Sequence, residues 1–242
     1  MKQRLDQLLV ERELAESRAR AQALILAGLV VVGDQRVDKP GKQVDCDAPI
    51  RIKENGLKFV SRGGLKLEHA LQTFAIDPAG KICLDIGAST GGFTDCLLQQ
   101  GAAKVYAVDV GYGQLAWSLR QNKQVVVLER QNFRHLNPKL ITDPITLTTI
   151  DVSFISLKLI FPPLKKFLAP KAVVIALVKP QFEVGPEKVG KNGIVKDVAL
   201  HEAVCTAIRE AGEKGGWVFK GLTPSPILGA EGNKEFLIAF QV

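Results

Sequence analysis

Metal and disulfide chemistry have little to work with in this chain. Its four cysteines, Cys46, Cys83, Cys96 and Cys205, are far apart and form no C-x-x-C pair. His69, His135 and His201 are the only histidines, so no metal-ligand cluster emerges. Reduced, buried thiols and no bound metal are expected. No apolar run approaches a membrane span, and the opening MKQRLDQLL is amphipathic without the apolar core of a signal peptide. These absences predict a soluble cytoplasmic protein with no membrane partner. The dinucleotide fingerprint G-x-G-x-x-G is also missing.

What is present is enough for one sizeable domain and a small one, since 46% of the 242 residues are apolar. A formal charge of +7 favours a polyanionic partner, although a solvated basic surface explains it equally well. The chain is organised around Lys81 to Gln99, KICLDIGASTGGFTDCLLQ, an apolar strand running into a glycine-rich turn and a helix. Gly87, Gly91 and Gly92 let the backbone turn sharply and approach a ligand. Asp85 before the turn suits a cofactor that offers an amino or hydroxyl donor and carries no pyrophosphate, as S-adenosylmethionine (AdoMet) does.

Further strands are expected at Lys104 to Val110, Val125 to Leu128, Ile145 to Ile150 and Ala172 to Val178, with helices between them. Such alternation implies a parallel sheet covered on both faces, with ligands beyond the carboxyl ends of its strands. Asp85, Asp109, Asp151 and Lys179 each close one of these apolar runs. A solvated strand end explains any one of them, but the set points to a site. Asp109 lies 24 residues after Asp85, near the interval at which an acid takes ribose hydroxyls in related folds. The polar residues Glu129 to Asn132 follow the third strand, where an adenine commonly sits. Lys66, in the first turn of a helix with Leu67, Ala70, Leu71 and Phe74 buried, opposes the helix dipole. That local conflict hints at function, with a surface lysine as the alternative. The loop Gln181 to Asp197, with Lys188 and Lys191 among its glycines, suits an RNA backbone. A helix over Ala199 to Ala211 and strands at Val218 to Leu222 and Phe236 to Phe240 complete the chain, with a bend at Gly229 to Asn233.

Residues 1 to 60 read as a separate two-helix, small-sheet module, joined through a polar linker around Ile52 to Gly64 with a turn at Asn55-Gly56. Leu5, Leu8 and Leu9 repeat at helical spacing, and Ser17 caps a second helix that stops at Gly28. Arginines at a helix start position phosphates without reading bases. A solvated face is the competing reading, because the module holds nine acids against eleven bases.

RLDQLLVERELAESRARAQALILAGLVVVGDQRVDKPGKQV resembles the S-four-type RNA-binding domain. That resemblance implies RNA contacts by Arg4, Arg18 and Arg20. DIGASTGGFTD, VYAVDVGYGQL, TIDVSFISL, LVKPQFEVG and EGNKEFLIAF are similar to the motifs of the TlyA family, ribosomal RNA 2′-O-methyltransferases that also carry a haemolysin label. The second half is similar to FtsJ-type ribose methyltransferases too. The resemblance implies an α/β fold, a Rossmann-like class I AdoMet-dependent methyltransferase over residues 61–242, behind a small N-terminal α+β RNA-binding domain. It further implies a Lys-Asp-Lys-Glu tetrad at Lys66, Asp151, Lys179 and Glu235. AdoMet contacts are implied around Asp85, Gly87, Ser89, Gly91, Gly92, Phe93, Asp109 and Asn132, the last standing where FtsJ-type enzymes often show aspartate. The partner implied is ribosomal RNA or a ribosomal subunit, with cytidine as target, and the family's shorter form, confined to the large subunit, is expected.

A ribose hydroxyl must lose a proton before it attacks a methyl group, and a lysine, ordinarily protonated at neutral pH, must be perturbed to take it. Lys179 is expected as base, Lys66 as its like-charge neighbour, and Asp151 and Glu235 as the acids that orient the two ammonium groups. The acids raise a lysine's proton affinity while the second lysine lowers it, so the net effect stays open. No N/D-P-P-Y/F motif follows the fourth strand, against a base-amine methyltransferase, and no cysteine closes a catalytic strand, against a cysteine nucleophile. A non-catalytic RNA-binding or ribosome-assembly factor is the alternative class. Neither hydropathy nor a barrel pattern supports membrane insertion.

Overall fold

Apolar spacing and capping residues shape the first module. A computed structural model describes residues 2–52, 58–229 and 232–242. The chain enters as β1 (Lys2–Arg4) and turns into helix α1 (Leu5–Glu11), which buries Leu5, Leu8 and Leu9. Ser17 opens α2 (Arg18–Leu26) by accepting a hydrogen bond from the Arg20 amide at 3.2 Å. Strands β2 (Val30–Val32) and β3 (Gln35–Val37) form a hairpin across Gly33-Asp34. β4 (Gln43–Asp45) pairs with β1, and β5 (Ile50–Ile52) adds to β2, giving the order β3-β2-β5. Leu24, Ile25, Val30, Val37 and Val44 close a small core on the helix α1 leucines. The turn expected at Asn55-Gly56 lies outside the described residues.

Helix α3 (Gly63–Thr73) opens the second module. Its sheet has the order β11-β12-β10-β9-β6-β7-β8. The strands are β6 (Ile82–Ile86), β7 (Lys104–Val108), β8 (Val125–Leu128), β9 (Ile145–Ile150), β10 (Leu168–Val178), β11 (Val218–Pro224) and β12 (Phe236–Gln241). Between them come α4 (Gly92–Gln99), α5 (Trp117–Arg120), α6 (Phe161–Leu164), α7 (Pro180–Glu183) and α8 (Val198–Lys214). Strands β6 to β10 are parallel, as expected. β12, however, runs antiparallel between β10 and β11, and the eleven residues, 225–235, that join it to β11 fall short of the dozen or more that a parallel crossover needs.

Both faces of the sheet are buried, which is why its strands read as unbroken apolar runs. Along β10, Val174, Ala176 and Val178 enter one core with Phe161, Leu164 and Ile208, while Ile175 and Leu177 enter the other with Leu67, Phe93 and Leu97. Each such large side chain contributes roughly 1.5–3 kcal/mol. The two cores fix the carboxyl-end rim of the sheet, where β7, β9 and β10 give way to Asp109, Asp151 and Lys179. Asp85 differs: it lies inside β6, one residue before its end.

Candidate active site

Two adjoining cavities occupy that rim. One, of about 710 Å³, is lined by Asp109, Val110, Asn132, Phe133, Val152 and Phe182 among others. The second, of about 580 Å³, is lined by Lys66, Gly92, Phe93 and Lys179, and on its outer side by Ala19, Gln22, Ala23 and Leu26 of α2. Gly87, Ser89, Gln114, Asp151 and Ser153 line both, so the cavities meet along a seam of those five residues.

The glycine-rich turn makes the seam possible. Gly87 has φ +84°, and a Cβ there would lie 2.3 Å from the Asp151 carbonyl oxygen, so only glycine lets β6 and β9 end this close together. Gly91, with φ +98°, lines neither cavity; a Cβ there would strike Leu119, so its place is packing against α5. The Asp109 carboxylate accepts hydrogen bonds from the amides of Ser89 at 2.8 Å and Gly111 at 2.7 Å. Backbone donors thus hold it against the cavity wall, with lone pairs left for hydroxyl donors.

Lys179 follows β10 and Asp151 follows β9, and their side chains meet, Nζ to Oδ1, at 2.6 Å. Lys179 Nζ also donates to Ser153 Oγ at 3.0 Å and stands 5.8 Å from the centre of the Phe182 ring. Lys66 Nζ donates to Glu235 Oε2 at 2.5 Å, joining α3 to the residue just before β12. Lys66 is buried, so the surface alternative fails: its charge at the helix start is answered by Glu235, 169 residues away. The structure brings all four residues of the expected tetrad into two lysine–carboxylate pairs.

Asp85 does not meet either cavity. Its side chain points to the α4 face of the sheet, fully buried, and accepts hydrogen bonds from Thr94 Oγ1 at 2.7 Å and Thr149 Oγ1 at 3.0 Å. Alternation along β6 decides this, since Ile86 takes the opposite face. Burial pushes the Asp85 carboxyl up to about 7, partly offset by the two threonines. Asn132 lines the larger cavity, but its Oδ1 already accepts from the Arg134 amide at 3.1 Å. The Arg134 Nε donates to the same oxygen at 3.3 Å, which leaves the amide NH₂ as the group these bonds do not use.

Burial also lifts the thiols of Cys83 and Cys96, each to about 12, and of Cys205 to about 11, so these cysteines stay protonated and unreactive. Ser153 and Gln114 were not singled out from the sequence, although they lie in the quoted stretches TIDVSFISL and VYAVDVGYGQL. Phe154, also in the first stretch, is 90% exposed at φ +62°, with its ring 4.9 Å from that of Phe182. Lys188 is exposed and lines neither cavity, and the side chain of Lys191 lies outside the described residues. Arg4 and Arg18 both contact buried Asp6, and Arg20 is half-exposed in the first turn of α2.

A mixed seven-stranded sheet with acids and a lysine at its carboxyl rim, opposite a buried lysine–glutamate pair, defines an FtsJ-like methyltransferase, and the chain matches that family over residues 59–242. Residues 3–47 match the S4 domain. With both parts in this order, the chain belongs to the TlyA family. It is 54% identical over 238 residues to a candidate rRNA methyltransferase of Bacillus subtilis, YqxC, covering 98% of this chain and 85% of that one. It is 46% identical over 236 residues to the 16S/23S rRNA (cytidine-2′-O)-methyltransferase TlyA of Mycobacterium tuberculosis, covering 97% and 88%. A solved structure from Streptococcus thermophilus, described as a candidate hemolysin, superimposes with a TM-score of 0.79 at 47% identity, covering 99% of this chain and 88% of that one. Among the described residues no helix is long and apolar enough to cross a membrane.

Proposed function

We propose that this chain transfers the methyl group of AdoMet to the 2′-oxygen of a cytidine ribose in ribosomal RNA. The observation that carries the reading is the seam: Lys179 lines the smaller cavity and is held by Asp151 and Ser153, two of the residues along which that cavity meets the larger one. The larger cavity fits AdoMet in size and in donor set. Asp109 would take the ribose hydroxyls, and the Asn132 amide, Val110 and Phe133 would surround the adenine. When bound, AdoMet supplies an activated methyl group on a good leaving group. The residues of the chain then have two tasks, alignment and removal of one proton.

Lys179 Nζ, in its neutral form, takes the 2′-hydroxyl proton. Asp151 and Ser153 fix the direction of its lone pair, and Asp151 stabilises the ammonium that results. Lys66, facing the same cavity, places positive charge near the oxygen as it gains negative character, and Glu235 holds that charge in place. In this reading residues 1–60 bind RNA and residues 61–242 carry the chemistry.

The test is methyl transfer from labelled AdoMet to separated ribosomal subunits, with the label mapped on the RNA, for wild type and Lys179→Ala. Label is expected on ribose in large-subunit RNA and absent with the variant. Label on a base, or none in any RNA despite AdoMet binding, would overturn the reading.

A further inference from the structure

Asp6 is wholly buried in the first module, yet it carries four hydrogen bonds from three side chains that reach the surface. Arg4 grips it with two nitrogens, Nε to Oδ1 and Nη2 to Oδ2, both at 3.0 Å. Arg18 Nε, at the start of α2, donates to Oδ2 at 2.9 Å, and Gln22 Nε2, one turn later, to the same oxygen at 2.9 Å. These donors hold the Asp6 carboxyl well below the usual carboxylate range, so it stays charged at any working pH. Gly41 passes so close that a Cβ there would lie 3.3 Å from Arg4 Nη1.

Four hydrogen bonds match the roughly four lone-pair sites of the carboxylate. One arginine already neutralises its charge, however, so the second brings surplus positive charge and a side-chain entropy cost. Each guanidinium has five N–H donors, of which Asp6 takes two from Arg4 and one from Arg18. The remaining edges belong to side chains that stay 40% and 53% exposed. Two guanidinium groups are thereby held beside each other next to the start of α2, each with donors that Asp6 does not take. A planar fork pinned on one edge loses little further freedom when its other edge meets a phosphate.

We infer that Asp6 is a positioning residue that aims Arg4 and Arg18 together at one stretch of RNA phosphodiester backbone. The inference rests on the RNA-binding reading above and adds to it a specific device. The Asp6 carboxylate costs one unit of positive charge on the binding face and returns preorganisation. A charge-only view makes the opposite prediction, because removing Asp6's charge would strengthen attraction to RNA.

The experiment measures binding of the full chain to large-subunit rRNA from Bacillus subtilis over a salt series, for wild type, Asp6→Asn, Arg18→Ala and Arg18→Lys. AdoMet affinity and thermal melting are followed in parallel. Arg18→Ala should weaken binding and lower the salt slope by about 1. Asp6→Asn should weaken it about tenfold despite the added net charge, with AdoMet affinity unchanged. Arg18→Lys keeps the charge but cannot span Asp6 and a phosphate, and should weaken binding several-fold. It guards against Asp6→Asn failing to fold. Equal or tighter binding by Asp6→Asn, or wild-type binding by Arg18→Lys, would overturn the inference. An Arg18→Ala variant that binds as well as wild type would instead overturn the RNA-binding reading of this face.

Discussion

The two lysine–carboxylate pairs of the site look alike on paper and differ in surroundings. Lys66 and Glu235 form the more sealed pair, with side chains 11% and 2% exposed and only Lys66 reaching either of the two cavities, and they join α3 to the residue just before β12. Lys179 is equally covered, but its partner Asp151 is 22% exposed, lines both cavities, and shares the lysine with Ser153. A sealed pair is well suited to holding a fixed charge, whereas one open to two cavities is suited to exchanging a proton. The difference is what the proposed roles require, proton removal by Lys179 and electrostatic support by Lys66.

The largest expected effect tests the open pair. Lys179→Ala should reduce single-turnover methyl transfer by about 10²–10⁴-fold, the usual contribution of a positioned base. Thermal stability and AdoMet affinity should change little, since the stranded Asp151 can be solvated through the cavities. If Lys66→Ala costs more rate than Lys179→Ala at equal folding, the assignment of roles is reversed.

The sealed pair should show its loss in stability first. Lys66→Met leaves Glu235 buried without its partner, at an expected cost of about 3–5 kcal/mol in chemical denaturation. Lys66→Met with Glu235→Leu should recover most of that cost while the rate remains low. Recovery of rate along with stability would mean that the pair is only a staple between α3 and β12.

How much of this was legible beforehand follows from what each feature depends on. The strands Val125–Leu128 and Ile145–Ile150 run where the apolar residues do, and Asp109, Asp151 and Lys179 stand just past their strands. Doubly buried strands leave that trace in any order of pairing. The short polar strands β1 and β4 leave none, and the antiparallel place of β12 is a long-range property that no local pattern carries. β10 begins at Leu168 rather than Ala172, because its first residues join β9 across a register shift that takes in Pro170 and Lys171 at φ +62°. Pairing of Lys66 with Glu235 came from family resemblance, since nothing in their spacing announces it. Asp6 read as an ordinary helix residue, and only the fold shows the two arginines converging on it.

Asp85 sharpens the comparison as an acid that has no lysine at all. Its folded-state value of about 7 lies above the roughly 3.9 of an unfolded aspartate. Between these values the unfolded chain has released a proton that the folded chain keeps, so unfolding is favoured as pH rises. Asp85 therefore supports the fold fully below about pH 4, and that contribution declines through about pH 7 and then levels off. Asp85→Asn is neutral at every pH, its amide oxygen accepting from one threonine while its NH₂ donates to the hydroxyl oxygen of the other. Melting temperatures of the variant should gain on wild type steadily between pH 5 and 8, and a constant difference across that range would show that the carboxylate is ionised in the fold.

The smallest effect expected separates the two contacts that hold Lys179. Ser153 accepts one neutral hydrogen bond from Nζ, whereas Asp151 offers a full charge at 2.6 Å. Removing the hydroxyl should cost about one ordinary hydrogen bond, or roughly a tenfold lower rate at most. Because Ser153 lies on the seam, Ser153→Ala also opens a little space beside the methyl path, and that change should lower kcat with KM for AdoMet nearly unmoved. Asp151→Asn, in contrast, removes the charge that stabilises the protonated lysine and should lower the rate far more. If the two variants cost the same, alignment of Lys179 rather than charge is what Asp151 contributes, and the open pair becomes a positioning device like the sealed one.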